Sequence, residues 1–202
     1  MVMLFHEGKP AAEFVGALPE AQVAQWLETY VPTEAAKALN EAKRLLERGD
    51  TAGARSVLEE AVPKDPSHEE ARVLLAELLF ESDPDAAGKL VQDVPVAHPV
   101  GDRANALRTL YRLIRSEEEL AAIAAKYPEE AQAWPAYLKG IKALKQQRYA
   151  DALEAWIEVI RRDRKLDDDG ARKACVALFL WLGNEHEITQ KYRPLFSSAL
   201  YS

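Results

Sequence analysis

The stretch that decides the fold is GDTAGARSVLEEAVPKDP, residues 49–66. Its first glycine permits a turn, its apolar residues recur at the spacing of one helix face, and its last proline cannot continue a helix. Ala42 before the turn and Ala54 after it let two antiparallel helices approach closely. Leu45 and Leu58 then fill the space beside the alanines. The stretch therefore predicts a hairpin of two packed helices.

The residue order in this hairpin resembles a tetratricopeptide repeat (TPR). The small, small, large, small and proline positions of such a unit are occupied by Gly49, Ala54, Leu58, Ala61 and Pro66. A single unit cannot bury its own apolar face, so it needs stacked neighbours. The resemblance implies a scaffold that binds other proteins and does not catalyse a reaction.

A second copy of the pattern lies about three repeats of 34 residues further along the chain. There, Gly140, Tyr149, Ala152 and Trp156 reproduce the spacing of small and large residues. Apolar periodicity predicts helices over 19–30, 34–48, 51–63, 67–81, 84–93, 102–115, 117–127, 130–147, 149–163, 168–183 and 185–200. The residues expected to pack the repeats together are Ala42, Leu45, Gly49, Ala54, Leu58, Ala61, Pro66, Gly140, Ala152 and Trp156. We predict an all-α solenoid of TPR-like antiparallel helix pairs.

The first residues differ from everything that follows. Residues 2–5 and 10–15 read as two short strands around a turn, and a helix over 19–30 follows them. The sequence thus predicts a β-β-α segment over 1–31 and a helical repeat domain with a C-terminal capping helix over 32–202. Two strands and one helix bury little surface. We expect this segment to pack on the repeats, to self-associate with another copy through its strands, or to be mobile.

The N-terminal segment resembles the last third of a thioredoxin fold. The matching stretches are MLFHEGKP (3–10), FVGAL (14–18) and WL (26–27). Together with the TPR-like units, and with DDDGARK (167–173) and YRPL (192–195) near the end, they resemble the YbbN/CnoX family of thioredoxin-TPR co-chaperones. By this resemblance, residues 1–31 are the C-terminal part of a thioredoxin-like domain.

The resemblance implies a bacterial stress-response co-chaperone of the holdase type. Its partners would be unfolded or oxidised client proteins and a chaperonin of the 60-kDa class. The family's redox Cys-x-x-Cys would lie upstream of Met1, so we expect this chain not to be an enzyme. The alternatives are a fragment of a thioredoxin-like redox protein, or a TPR adaptor in a protein assembly.

The last predicted helix carries one apolar stripe. From the residues alone, it is a capping helix over the last repeat; by the family resemblance, its outer end docks the chaperonin. Both can hold if Ile188 and Tyr192 turn inward and residues 196–201 turn outward. Pro194 is expected to kink this helix and free its end. The candidate partner-binding residues are Tyr192, Arg193, Leu195, Phe196, Leu200 and Tyr201.

Composition limits the classes of function. A net charge of −7 over 202 residues is a poor match to a phosphate backbone, so we expect no nucleic-acid partner. One cysteine excludes an intrachain disulfide and favours a reducing, cytoplasmic compartment. No apolar run approaches the roughly 20 residues that span a bilayer, so no membrane partner is expected. The four histidines are scattered, so we predict no metal and no cofactor.

A few residues have two readings. Residues 167–169 are three aspartates, which we interpret as the N-cap of the next helix. Cys175 lies in an apolar run, which favours a buried side chain over a redox-sensing thiol. Trp134, Trp156 and Trp181 are expected in the core, with a groove lining as the alternative.

Overall fold

The computed structural model describes residues 1–6, 8–30, 33–126 and 133–201. Two strands come first, β1 (Val2–His6) and β2 (Lys9–Phe14). The helices are α1 (Glu20–Tyr30), α2 (Glu34–Glu47), α3 (Thr51–Ala61), α4 (Glu69–Leu79), α5 (Pro84–Val91), α6 (Gly101–Arg115), α7 (Glu117–Lys126), α8 (Trp134–Lys145), α9 (Tyr149–Arg162), α10 (Gly170–Leu182) and α11 (Glu187–Leu200). The predicted fold class, a helical repeat protein with an N-terminal β-hairpin, is confirmed.

Local capping explains why the helix ends agree with the sequence pattern. Thr33, Asp50 and Asp83 each accept a hydrogen bond from the backbone N–H three residues later, at 3.2, 2.8 and 2.9 Å. Each cap satisfies a donor that the first turn of its helix cannot pair. The predicted start of α8 at residue 130 and the predicted end of α7 at residue 127 lie outside the described residues.

The chain divides into two compact units, Met1–Leu74 and Leu75–Ser202, and the division falls within α4. The first unit opens with β1 and β2, which pair antiparallel with Val2 opposite Phe14. The Phe14 ring contacts Trp26 of α1 edge-on, with 4.9 Å between ring centroids. Aromatic contact thus holds α1 on the hairpin. The predicted division between residues 31 and 32 stays a prediction.

The α2–α3 hairpin of the first unit packs through small side chains. Ala42 and Ala54 are fully buried, and so is Leu58 beside them. Gly49 stands in the turn with φ +79°, a conformation that favours glycine because it has no Cβ. Of the other residues expected to pack this repeat, Ala61 is buried, Leu45 is half-buried and Pro66 is exposed.

The α8–α9 hairpin of the second unit also packs a small residue of one helix against the next helix, but here the opposing side chain is a tryptophan. Gly140 is buried against the indole of Trp156, which is fully buried, as is Ala152 on the same helix. A Cβ on Gly140 would lie 2.3 Å from the indole nitrogen of Trp156. Absence of a side chain at Gly140 therefore allows α8 and α9 to pack at this distance.

Helix α10 forms the centre of the second unit because it packs against α6, α9 and α11. Ala174, Cys175 and Leu178 of this helix are completely buried. An open solenoid would place each repeat only against its sequence neighbours. Contact between α6 and α10 skips the three helices α7, α8 and α9, so this unit closes more tightly than the simple stack that the repeat pattern predicts.

Asp169 is the N-cap residue of α10, as the run of aspartates at 167–169 predicts, but its side chain does not cap the helix. All three aspartates have left-handed backbone, with φ of 51°, 54° and 62°, and Asp169 makes no side-chain cap to α10. Asp167 instead accepts a hydrogen bond from the Tyr137 hydroxyl at 2.7 Å, and Asp169 pairs with Arg172. The hydrogen bond from Tyr137, 30 positions away in the sequence, thus helps to hold this turn, whose left-handed backbone aspartate tolerates.

Candidate protein-binding surface

The C-terminal helix is anchored to α10 by aromatic contacts. Phe196 lies edge-on to Phe179, with ring centroids 5.6 Å apart, and Phe179 itself is buried. The Arg193 guanidinium lies over the same ring at 5.8 Å from its centroid. One buried ring of α10 therefore holds two of the candidate partner-binding side chains.

Tyr192 is not available to a partner, so its prediction as a binding residue is wrong. Its side chain is 2% exposed, and its hydroxyl donates a hydrogen bond to the Glu154 carboxylate of α9. This hydrogen bond, with a smaller contribution from burial, raises the pKa of Tyr192 to about 12. Tyr192 therefore attaches α11 to α9. The spacing of apolar residues along α11 does not by itself reveal this hydrogen bond.

Replacing Tyr192 with phenylalanine is expected to lower the free energy of unfolding by about 1 kcal/mol near neutral pH, because the Glu154 hydrogen bond is lost. A folded-state pKa above the unfolded value of about 10 means that this stabilisation is complete below pH 10 and is lost as the pH rises towards 12. Urea unfolding of both proteins from neutral to alkaline pH measures the difference. A difference that grows with pH would contradict the assignment.

The outer end of α11 presents the remaining candidate residues. Leu195 is 44% exposed and Tyr201 is 89% exposed, while Leu200 is half-buried and its carbonyl accepts a 3.4 Å hydrogen bond from Arg164. Helix α11 continues past Pro194 to Leu200, so the prediction of a freed end is wrong. We define the C-terminal surface as Arg193, Leu195, Phe196, Leu200 and Tyr201.

A second surface, which the sequence did not indicate, surrounds Tyr111 of α6. One cleft of about 420 Å³ is lined by Pro84, Asp85, Tyr111, Ile114, Arg115, Glu118 and Lys145. A neighbouring cleft of about 240 Å³ is lined by Gly88, Lys89, Gln92, Arg108 and Tyr111. We call the two together the Tyr111 clefts, because the ring of that residue lines both of them.

Two contacts hold the Tyr111 ring. Its hydroxyl donates to Asp85 at 2.9 Å, which raises the pKa of Tyr111. A Cβ on Gly88 of α5 would lie 2.7 Å from the ring. Gly88 is the feature of the sequence that could have indicated these clefts. Glycine is unfavourable inside a helix, so its presence there suggests that another group approaches the helix closely.

Three aromatic rings meet elsewhere in the second unit, from α9, from α10 and from Phe80 directly after α4. Trp181 of α10 lies edge-on to Phe80 at 5.0 Å and to Tyr149 of α9 at 5.2 Å. The Tyr149 hydroxyl donates to Glu81 at 2.5 Å, and burial together with this bond raises its pKa. Trp134 and Trp156 are buried and Trp181 is half-buried. The predicted core placement therefore holds for the first two, while Trp181 reaches the surface.

The titratable side chains of the described residues offer no metal-binding cluster. They contain no group of three or more histidine, cysteine or acidic side chains that could hold a metal ion. Cys175 is completely buried, and this burial raises the pKa of its thiol, which makes a thiolate unfavourable. No helix among the described residues is long and apolar enough to cross a bilayer.

Comparison with known families agrees with this architecture. One tetratricopeptide-repeat family model matches residues 45–111 and a second matches residues 116–201. The first match runs from the end of α2 into α6, and the second covers α7 to α11. No curated protein sequence matches the chain.

These matches and the paired helices define the class of protein: a scaffold built from helical repeats that binds other proteins. The chain is a TPR-containing protein. Residues 1–44 lie outside both matches.

Proposed function

We propose that this protein is a non-catalytic co-chaperone of the holdase type. It holds unfolded client proteins on its repeat domain and docks a chaperonin of the 60-kDa class through the C-terminal surface. The observation that carries the proposal is the exposure of Leu195 and Tyr201 on a helix whose inner side is fixed by Tyr192 and Phe179. Apolar side chains on an already ordered helix bind with little further loss of conformational entropy.

The Tyr111 clefts support the holdase part of the proposal. Their volumes of about 420 and 240 Å³ suit single side chains of an extended segment and not a folded domain. Their rims carry both signs of charge, as with Arg115 and Glu118. An aromatic floor with a mixed rim favours weak binding to many sequences, which is what a holder of unfolded chains needs.

The assignment of residues 1–31 to a thioredoxin-like domain, membership of the YbbN/CnoX family and a cytoplasmic location belong to the same proposal. The order of two antiparallel strands followed by an amphipathic helix supports the first of these. Oxidised clients would bind as unfolded chains, without redox exchange, because the one cysteine of this chain is buried. The alternative is a TPR adaptor without chaperone activity. The following experiment distinguishes this adaptor from a co-chaperone.

The test replaces Leu195 and Tyr201 with aspartate in the full chain. Both side chains lie on the C-terminal surface, so a charge at each should weaken the binding of purified chaperonin at least tenfold, or about 1.4 kcal/mol. Binding is measured by surface plasmon resonance. Ser197→Asp is the matched control, since Ser197 is exposed on the same helix and outside the defined surface. It should bind like the wild type.

Client holding is read separately from light scattering of a thermally unfolded model enzyme. The wild type and the Leu195→Asp, Tyr201→Asp double variant should suppress aggregation equally, because the Tyr111 clefts are intact in both. If the wild type suppresses nothing and captures no chaperonin, the co-chaperone proposal fails and the adaptor alternative stands. If the double variant binds chaperonin as tightly as the wild type does, the docking role of the C-terminal surface is wrong.

A further inference from the structure

The smaller of the two Tyr111 clefts carries a local excess of positive charge. It lies between α5 and α6 and is lined by Gly88, Lys89, Gln92, Arg108 and Tyr111. Of these described residues, two are cations and none is an acid, although the whole chain has a net charge of −7. A cleft lined by one sign of charge attracts a group of the opposite sign, because its low-dielectric walls focus the field. This cleft therefore favours an anionic occupant.

Arg108 is anchored through one of its three guanidinium nitrogens. Its Nη1 donates to the backbone carbonyls of Val91 and Val94, at 2.8 Å each, and to that of Gln92 at 3.5 Å. These carbonyls follow the last turn of α5, where helix acceptors lack partners within the helix. Nε and Nη2 of Arg108 have no acceptor among the residues that the structure describes. Together, these two nitrogens form a fork that matches a carboxylate.

Lys89 of α5 supplies a second positive charge to the smaller cleft. Its side chain is exposed, and no carboxylate within residues 1–6, 8–30, 33–126 and 133–201 forms an ion pair with it. Because Arg108 is already held in place, an anion that binds it loses little side-chain entropy. An anchored guanidinium beside an unpaired ammonium group is thus prepared to bind a carboxylate.

The larger Tyr111 cleft does not suit an anion, because its two cations are already paired. Arg115 lies 3.6 Å from Asp85. Lys145 lies 2.6 Å from Glu117. Glu118 also lines this cleft and adds negative charge to its rim. The apolar groups that line it are Pro84, Tyr111 and Ile114. The larger cleft therefore favours an apolar side chain.

We propose that the Tyr111 clefts bind an extended client segment in which an apolar residue lies two positions from a glutamate or aspartate. The carboxylate enters the smaller cleft, onto Arg108 and Lys89, and the apolar side chain enters the larger cleft, against Tyr111. Alternate residues of an extended chain point the same way and lie about 7 Å apart. That spacing matches two clefts that share one aromatic ring. The inference rests on the holdase part of the proposed function and names the client segments that these clefts select.

The test is an NMR titration of the ¹⁵N-labelled full chain with a ten-residue peptide. The peptide carries one leucine and one glutamate two positions apart in a glycine–serine background. Replacing its glutamate with glutamine should weaken binding about tenfold, because the charged hydrogen bonds are lost. Replacing its leucine with serine should weaken binding at least fivefold. The Arg108 Nε–H signal should shift with the glutamate peptide and stay in place with the glutamine peptide.

A charge-reversal variant tests the same site from the side of the protein. Lys89→Glu should weaken binding of the glutamate peptide at least fivefold and change binding of the glutamine peptide less than about twofold. Lys89 is exposed and makes no ion pair with a described residue, so the variant should fold. Lys165→Glu is the matched control, since Lys165 is an exposed lysine of the same unit and lines neither cleft. The control changes the net charge equally and should bind both peptides like the wild type.

Equal affinity for the glutamate and glutamine peptides, or no binding of either, overturns the inference and leaves the holdase proposal standing. Binding that leaves the Arg108 Nε–H signal unmoved overturns it too, because the peptide would then lie elsewhere. A phosphoserine peptide that binds more than about tenfold tighter than the glutamate peptide would assign the smaller cleft to phosphate and reject the carboxylate. Failed suppression of aggregation beside an intact preference for the glutamate peptide would reject the holdase proposal and not the acidic preference of the clefts.

Discussion

Replacing Gly140 with alanine is expected to destabilise the second unit by about 2–3 kcal/mol, the usual cost of forcing atoms into a packed core. The Cβ of the new alanine would lie 2.3 Å from the indole nitrogen of Trp156 and 2.5 Å from its Cδ1. Atoms cannot approach so closely, so the two helices must move apart. The expected direction is opposite to helix propensity, because alanine in a helix interior is normally more stable than glycine by up to about 1 kcal/mol. Packing must therefore outweigh propensity for the prediction to hold.

The measurement is urea unfolding followed by tryptophan fluorescence. Of the four tryptophans, Trp134, Trp156 and Trp181 lie in the second unit, so the signal reports mainly on it. Trp156→Phe supplies the matched control, because phenylalanine lacks the pyrrole atoms that the new methyl would meet. In the Trp156→Phe background, Gly140→Ala should lower the free energy of unfolding by less than about 1 kcal/mol. The smaller loss would show that the two positions are energetically coupled. An alanine variant as stable as the wild type would show that the α8–α9 contact is looser than described.

Replacing Ala54 with leucine is the second large effect, and it concerns the first unit. Ala54 is completely buried at the α2–α3 contact, so three more carbon atoms must displace Leu58 or the neighbouring helix. We expect a loss of about 3 kcal/mol in the stability of this hairpin. Ala52→Leu is the control, because Ala52 is exposed two residues earlier on the same helix.

Hydrogen exchange of the α2 and α3 amides measures this prediction, since tryptophan fluorescence reports mainly on the second unit. Protection in both helices should fall in Ala54→Leu and stay at the wild-type level in Ala52→Leu, while the second unit keeps its protection in both. If both variants are protected alike, the alanines do not carry the α2–α3 contact and the repeat interpretation of residues 49–66 fails.

The candidate binding surface could be predicted only in part. Apolar spacing placed the relevant residues on α11, and five of the six lie at its outer end or beside it. Their accessibility could not be read from spacing, because it depends on groups far away in the sequence. Tyr192 is buried because Glu154 lies opposite it, and Phe196 is half-buried because Phe179 lies below it. The Tyr111 clefts arise in the same way, from a ring of α6 that fills the space left by Gly88 of α5.

Most helices, several of their ends and the repeat could be read from the amino-acid order, because they follow from signals within a few residues. Caps such as Thr33 and Asp50, and the turn glycine Gly49, act on their own chain segment whatever lies around them. Tertiary structure alone decided the left-handed turn at 167–169 and the packing of α6 on α10. These features depend on contacts between residues more than 25 positions apart, such as Tyr137 with Asp167, and no local pattern encodes such a partner.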